Sequence, residues 1–133
     1  MRNNSSLREL MDKDPLFELG RQELLDLRSQ LESVRASIAT LKDEGEIAAK
    51  GTAIASYRAR GASGNYYDYY KFIKGKNETL IHLGREDSKW LELFRSAVNR
   101  RSELDSLEKQ RTELTNKINK LKISFSDHNR FSI

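Results

Sequence analysis

Residues 17–41, FELGRQELLDLRSQLESVRASIATL, place apolar side chains at Phe17, Leu24, Leu27, Leu31, Val34, Ile38 and Leu41, with Gly20 completing the row. The steps between these positions alternate between three and four residues without a break. Such spacing keeps a single stripe of an α-helix apolar and is the mark of a heptad seam. Pro15 suits the first turn, where its missing N–H costs nothing, and Asp14 ahead of it suits an N-cap. Gly51, followed by β-branched residues, ends the run. A helix is therefore expected over 16–50, with a separate helical turn over Ser6 to Met11.

A second stripe with the same alternation runs through Trp90, Leu93, Ala97, Arg100, Leu104, Leu107, Arg111, Leu114, Ile118 and Leu121. Asp87 or Ser88 can cap its start, and Lys117, Lys120 and Lys122 suit the negative end of the helix dipole. A second helix is expected over 86–122. Each helix would be about 35 residues, or about 50 Å, long. Two helices of equal length suit an antiparallel hairpin. Its seam would be Leu24, Leu27, Leu31, Val34, Ile38 and Leu41 against Leu104, Leu107, Leu114, Ile118 and Leu121, within one chain or between copies. The seam arginines have two readings. Arg100 and Arg111 can snorkel out to Glu23, Asp26 or Glu32, or they can fix register and partner choice.

Between the stripes the period changes. Residues 52–60, TAIASYRAR, read as a strand, and Gly61 to Asn65 as a turn. Residues 66–73, YYDYYKFI, are rich in aromatic strand formers and read as the strongest strand. A turn over 74–77 and a third strand from Glu78 to Leu83, closed by Gly84, complete an antiparallel meander. The expected fold is mainly α with a small β element: an antiparallel coiled-coil hairpin carrying a two- to three-stranded β meander between its helices. It would form a single domain, with helix 1 over 16–50, a β head over 51–85, helix 2 over 86–122 and a tail over 123–133. Phe125, Phe131 and Ile133 of the tail follow no heptad pattern.

Composition supports that layout. The 133 residues are 33% charged and 37% hydrophobic, and the mean hydropathy is −0.75. These values fit helices that bury a narrow seam and expose the rest. Cysteine is absent, which removes disulfides and thiolate metal sites and fits a reducing cytoplasm. No apolar run approaches the roughly 20 residues of a membrane span, and Met1 to Ser6 begins no apolar signal core. A cytoplasmic location is expected.

Catalytic chemistry finds little support. His82 and His128 stand far apart with no metal-ligand spacing around them, and Gly61 to Gly64 lacks the lysine and hydroxyl of a phosphate loop. Neither an enzyme nor a cofactor is expected. The informative part is the middle segment. Residues 51–85 hold six basic and two acidic groups, an excess equal to the +4 of the whole chain. All five tyrosines lie there too. Alternation puts Tyr66, Asp68, Tyr70 and Phe72 on one face of the central strand, and Tyr67, Tyr69, Lys71 and Ile73 on the other. One face has to cover the helix ends, so the other shows rings beside cations. That combination suits DNA or RNA, because cations neutralise phosphates and ring faces stack on bases. The candidates are Arg58, Arg60, Lys71, Lys74, Lys76 and Arg85 for phosphates, with Tyr67 and Tyr69 for stacking. The same composition also suits a small β core with soluble edges.

The pattern Gly51…Tyr57-Arg58…Tyr66-Tyr67-Asp68-Tyr69-Tyr70…Gly75-Lys76…Leu83-Gly84-Arg85-Glu86-Asp87-Ser88, followed by a charged heptad helix, resembles a group of small prokaryotic proteins of uncharacterised role. In these a Tyr-Tyr strand, a Gly-Lys turn and a Leu-Gly end lead into a coiled coil. The resemblance covers about residues 50–121 and implies the helix–meander–helix layout. Some members are similar to segments linked to mobile elements and carry a cysteine knuckle, which this chain lacks. The layout is also similar to that of a prefoldin subunit, which makes a chaperone-like or protein-interaction scaffold the alternative to nucleic-acid association. A homo-oligomer is expected in either case, because an exposed edge strand invites pairing with another copy.

Overall fold

The computed structural model describes residues 15–131, with side chains over 18–122. Helix α1 (Pro15–Glu44) is followed by strands β1 (Thr52–Arg60), β2 (Tyr66–Lys74) and β3 (Glu78–Gly84), and then by helix α2 (Lys89–Phe131). The expectations for Ser6 to Met11, an Asp14 cap, the Phe17 side chain and the tail side chains lie outside the described residues. The chain divides into two compact units, Met1–Ile38 with Leu107–Ile133 and Ala39–Ser106. Among the described residues no helix is long and apolar enough to cross a membrane.

In the first unit, Leu27, Leu31, Leu114 and Ile118 form one buried cluster, with Leu24, Val34 and Leu121 packed against it. The two heptad stripes thus supply both sides of one apolar core. Ile38 is also buried, and so are Leu41 and Leu104 in the second unit; Leu107 is half-buried. Arg35 and Arg111 line one shallow groove in the first unit with Thr112, Thr115 and Asn116. Among the described residues Arg111 makes no ion pair with Glu23, Asp26 or Glu32.

The second unit contains the sheet. Its strands run in the order β1-β2-β3, each antiparallel to the next. A five-residue loop, 61–65, sets the first register, so that Arg60 faces Tyr66, Tyr57 faces Tyr69 and Thr52 faces Lys74. The second turn is tighter. Gly75 adopts a φ of 64°, a conformation that costs a side chain dearly, and its N–H donates to the Gly51 carbonyl at 2.9 Å. One face of the sheet packs on α2. Phe72, Leu83, Leu91 and Ala48 form the core there, joined by Ile54, Tyr70, Phe94, Ala97 and Val98. The Phe72 and Phe94 rings lie 4.8 Å apart, and Leu91 is wholly buried. Burying such a side chain contributes about 1.5–3 kcal/mol.

Three features differ from the periodic reading, each for a local reason: the ends of the two helices and the face that α2 buries. Helix α1 stops at Glu44 rather than at 50. A Cβ on Gly45 would lie 2.8 Å from the Arg100 guanidinium carbon. Past that point Arg100 Nη1 donates to the Glu46 carbonyl at 3.0 Å and Arg101 Nε to the Ala48 carbonyl at 2.6 Å. The Ala48 N–H donates to Ala97 O at 3.1 Å. These bonds to α2 replace the ones a longer helix would make with itself. Arg100 is therefore spent on backbone, not on an acid of α1.

The second difference is the face that α2 buries in its first turns. Trp90 and Leu93 continue the heptad stripe but stand 66% and 63% exposed, while the neighbouring Leu91 is buried. Adjacent helix positions point about 100° apart. Here α2 packs on the sheet, so the face one residue round is the one that turns inward. Ser88 begins this helix, its Oγ accepting the Leu91 N–H at 3.4 Å. At the other end α2 runs to Phe131 instead of stopping at 122, for no glycine or proline follows Gly84 to break it.

Candidate nucleic-acid interface

Cross-strand partners share a face, so the register settles where each candidate stands. Phe72 belongs to the core, and with it Ile54 and Tyr70 face α2. The opposite face carries Tyr57 with Tyr69, Ala59 with Tyr67 and Ala55 with Lys71. His82 joins them, because β3 pairs it with Lys71. The small residues Ala55 and Ala59 leave space for the larger side chains opposite.

These side chains touch one another. The Tyr57 and Tyr69 rings are stacked, with centroids 5.8 Å apart and planes 24° from parallel. Lys71 Nζ lies 5.6 Å from the Tyr57 centroid. The Tyr57 hydroxyl is 3.3 Å from His82 Nδ1, and the His82 ring meets Tyr57 edge-on. At the hairpin end, the Tyr67 hydroxyl is 2.9 Å from Ser63 Oγ. The Tyr67 ring lies against Gly61, where a Cβ would come within 2.8 Å of Cε2. Arg85, just past β3, sets its guanidinium carbon 3.8 Å from the Tyr67 centroid. Hydrogen bonds from Ser63 and Asn65, aided by the Arg85 charge, hold the Tyr67 phenol below the ordinary tyrosine range.

Tyr67, Tyr69, Lys71 and Arg85 are thus brought to one place. The remaining candidates are not. Arg58 shares the α2-side parity and stands 3.5 Å from Asp68 across the hairpin, an exposed pair of small energetic weight. Arg60 Nε donates to the Gly64 carbonyl at 3.0 Å and pins the turn. Lys74 lies at the far end of β2 opposite Glu78, and Lys76 is exposed in the next turn. Tyr57 and His82 belong to the cluster but were not among the sequence candidates. The Tyr57 position follows from the hairpin register; that of His82 depends on two irregularities between β2 and β3.

A second network fixes the loop between β3 and α2. Arg95 Nη1 donates to Glu86 Oε1 at 3.0 Å and Nη2 to Oε2 at 3.5 Å. Tyr70 lines the same groove as Glu86; the carboxylate beside its hydroxyl pushes the Tyr70 phenol up, and Arg95, followed by the Tyr70 hydroxyl, holds the Glu86 carboxyl down. An open groove of about 420 Å³ beside Tyr67 and Arg85 is lined by Asp68, Glu86 and Asp87 along with Tyr70. Three carboxylates make it unfavourable for a phosphate. No cluster of His, Asp or Glu able to hold a metal occurs among the described residues. No family model, curated protein or solved structure matches the chain.

Proposed function

We propose that the chain is a non-enzymatic, cytoplasmic, nucleic-acid-associated accessory protein that makes contact through the tyrosine face of its sheet and self-associates through its helices as a coiled coil. One observation carries this reading. The sheet face left over by the core gathers Tyr57, Tyr67 and Tyr69 with the cations Lys71 and Arg85. The rings are half-buried against one another, and rings beside cations match bases beside phosphates. The test is fluorescence anisotropy with labelled DNA and RNA over a salt series. Lys71→Glu with Arg85→Glu is expected to weaken binding and flatten its salt dependence. Wild-type protein that retains no nucleic acid at low salt would end the proposal.

A protein-interaction or chaperone-like scaffold is the second reading. The exposure of Trp90 and Leu93, which prolong the heptad stripe on α2, favours it. It predicts a stable oligomer that Leu93→Glu weakens in sedimentation velocity, with no retention of nucleic acid.

A further inference from the structure

We infer that the tyrosine face takes single-stranded nucleic acid, by base stacking, and not a duplex; this rests on the nucleic-acid reading proposed above. The hydroxyls decide the mode of contact. Reading a duplex groove takes free donors and acceptors aimed at base edges. Here the Tyr57 hydroxyl is committed to His82 and the Tyr67 hydroxyl to Ser63. Both hydroxyls already hold a protein partner, so the rings are what these two residues offer first, and only bases outside a duplex stack present their faces.

Spacing leads to the same ligand. Tyr67 and Tyr69 are two residues apart on β2, which puts their Cα atoms about 6.7 Å apart along the strand. Bases in a duplex rise about 3.4 Å per step, so successive tyrosines match an extended strand with its bases separated. The platforms are already closed on one side. Tyr57 and Tyr69 stand 5.8 Å apart, less than the roughly 7 Å that a base inserted between two rings would need. Bases must therefore lie on the outer ring surfaces. Tyr67 is covered by Arg85, whose exposed guanidinium provides a stacking plane with a positive charge. Lys71 beside Tyr57 meets the neighbouring phosphate.

The experiment measures anisotropy of labelled oligothymidylate, oligouridylate and a mixed-sequence duplex with the full chain at one salt concentration. Both single strands are expected to bind at least about tenfold more tightly than the duplex. Tyr69→Leu keeps apolar bulk but removes the ring, and is expected to lose at least about fivefold on single strands with duplex binding unchanged. Tyr69→Phe keeps the ring and is expected to bind as wild type, while thermal melting checks that both variants fold. A duplex bound as tightly as single strands, or equal losses on both ligands in Tyr69→Leu, overturns the single-strand inference and leaves nucleic-acid association standing. Loss in Tyr69→Phe equal to that in Tyr69→Leu overturns stacking. No binding to any of the three ligands overturns both readings.

Discussion

The guanidinium of Arg85 lies over the ring of Tyr67, 3.8 Å from its centre. The two residues come from different parts of the sheet, Tyr67 from the hairpin end of β2 and Arg85 from the residue after β3. β3 pairs with β2 only as far as Tyr70 opposite Gly84, so past that point Arg85 takes the place of a further strand residue. A cation over a ring is attracted by the ring quadrupole, and the contact orients both groups.

That contact has a titration signature. Tyr67 is held down by Ser63, Asn65 and Arg85, whereas Tyr70 is pushed up by the Glu86 carboxylate beside its hydroxyl. Ionising Tyr70 would set a phenolate beside a carboxylate. In a spectrophotometric titration of tyrosinate, Tyr67→Phe is expected to remove absorbance that develops below the ordinary tyrosine range. Tyr70→Phe is expected to remove absorbance that develops above it. Ser63→Ala should raise the Tyr67 midpoint more than Arg85→Gln does, since the hydroxyl is the larger cause. A wild-type curve that Tyr67→Phe leaves unchanged in its early part would contradict this.

Charge reversal separates the cations that the sequence groups together. Lys71 and Arg85 stand among the rings, while Lys74 and Lys76 lie at the opposite end of β2 and in the next turn. Each phosphate contact removed lowers the slope of log affinity against log salt by about 0.7 for a single strand. Lys71→Glu is expected to show that drop, and Arg85→Glu, which removes the guanidinium over Tyr67, to lower affinity at every salt concentration. Lys74→Glu with Lys76→Glu is expected to weaken binding less than either. Equal slopes for all these variants would mean a diffuse electrostatic attraction without a defined site.

Much of this was legible in the residues because two periods carry it. The alternation of three and four predicts the helices, and Leu27, Leu31, Leu114 and Ile118 do form a core. Period two predicts the split of β2 into a Phe72 face and a Tyr69 face. The pairing of Tyr57 with Tyr69 comes from the hairpin register, which alternation along one strand does not predict. What periodicity misses is what tertiary packing imposes. The end of α1 at Glu44 depends on Arg100 and Arg101, more than 50 residues away in sequence. The place of His82 depends on register shifts between Tyr70 and Lys71 and between Phe72 and Ile73, which no alternation pattern encodes.

The same distinction between stripe and packing can be measured at the start of α2. Trp90 and Leu93 hold heptad positions, yet Leu91 is the residue without solvent exposure. Leu91→Ala leaves a cavity against Phe72, Leu83 and Ala48, and is expected to cost about 2–5 kcal/mol. Trp90→Ala and Leu93→Ala should stay within about 0.5 kcal/mol of wild type. Urea denaturation followed by circular dichroism checks this. The reverse order would mean that the heptad stripe, and not the sheet, sets the buried face there.

Glu86 gives the fold a dependence on acid. Its carboxyl is held below the usual range by Arg95 and by the Tyr70 hydroxyl. A depressed carboxyl contributes stability that is present above its unfolded pKa and disappears as pH falls through the folded one. Glu86→Gln is therefore expected to be less stable than wild type at neutral pH, with the gap closing in acid. Urea midpoints across pH measure it. Because Glu86 is exposed, the effect is modest, and its sign is the test.

Gly61 is where a single methyl group tests the whole tyrosine face. A Cβ there meets Tyr67 Cε2 at 2.8 Å and Cδ2 at 2.9 Å, closer than carbon atoms sit without displacement. Gly61→Ala must push the ring away and is expected to lower stability. Moving the ring also draws its hydroxyl from Ser63 and its face from Arg85, so the Tyr67 midpoint should rise toward the ordinary tyrosine value. Tyr67→Ala in the same background removes the obstruction, and the two losses are then expected to fall short of additive. Strict additivity would show that the two residues do not press on each other, and that Tyr67 is held by something other than the glycine beneath it.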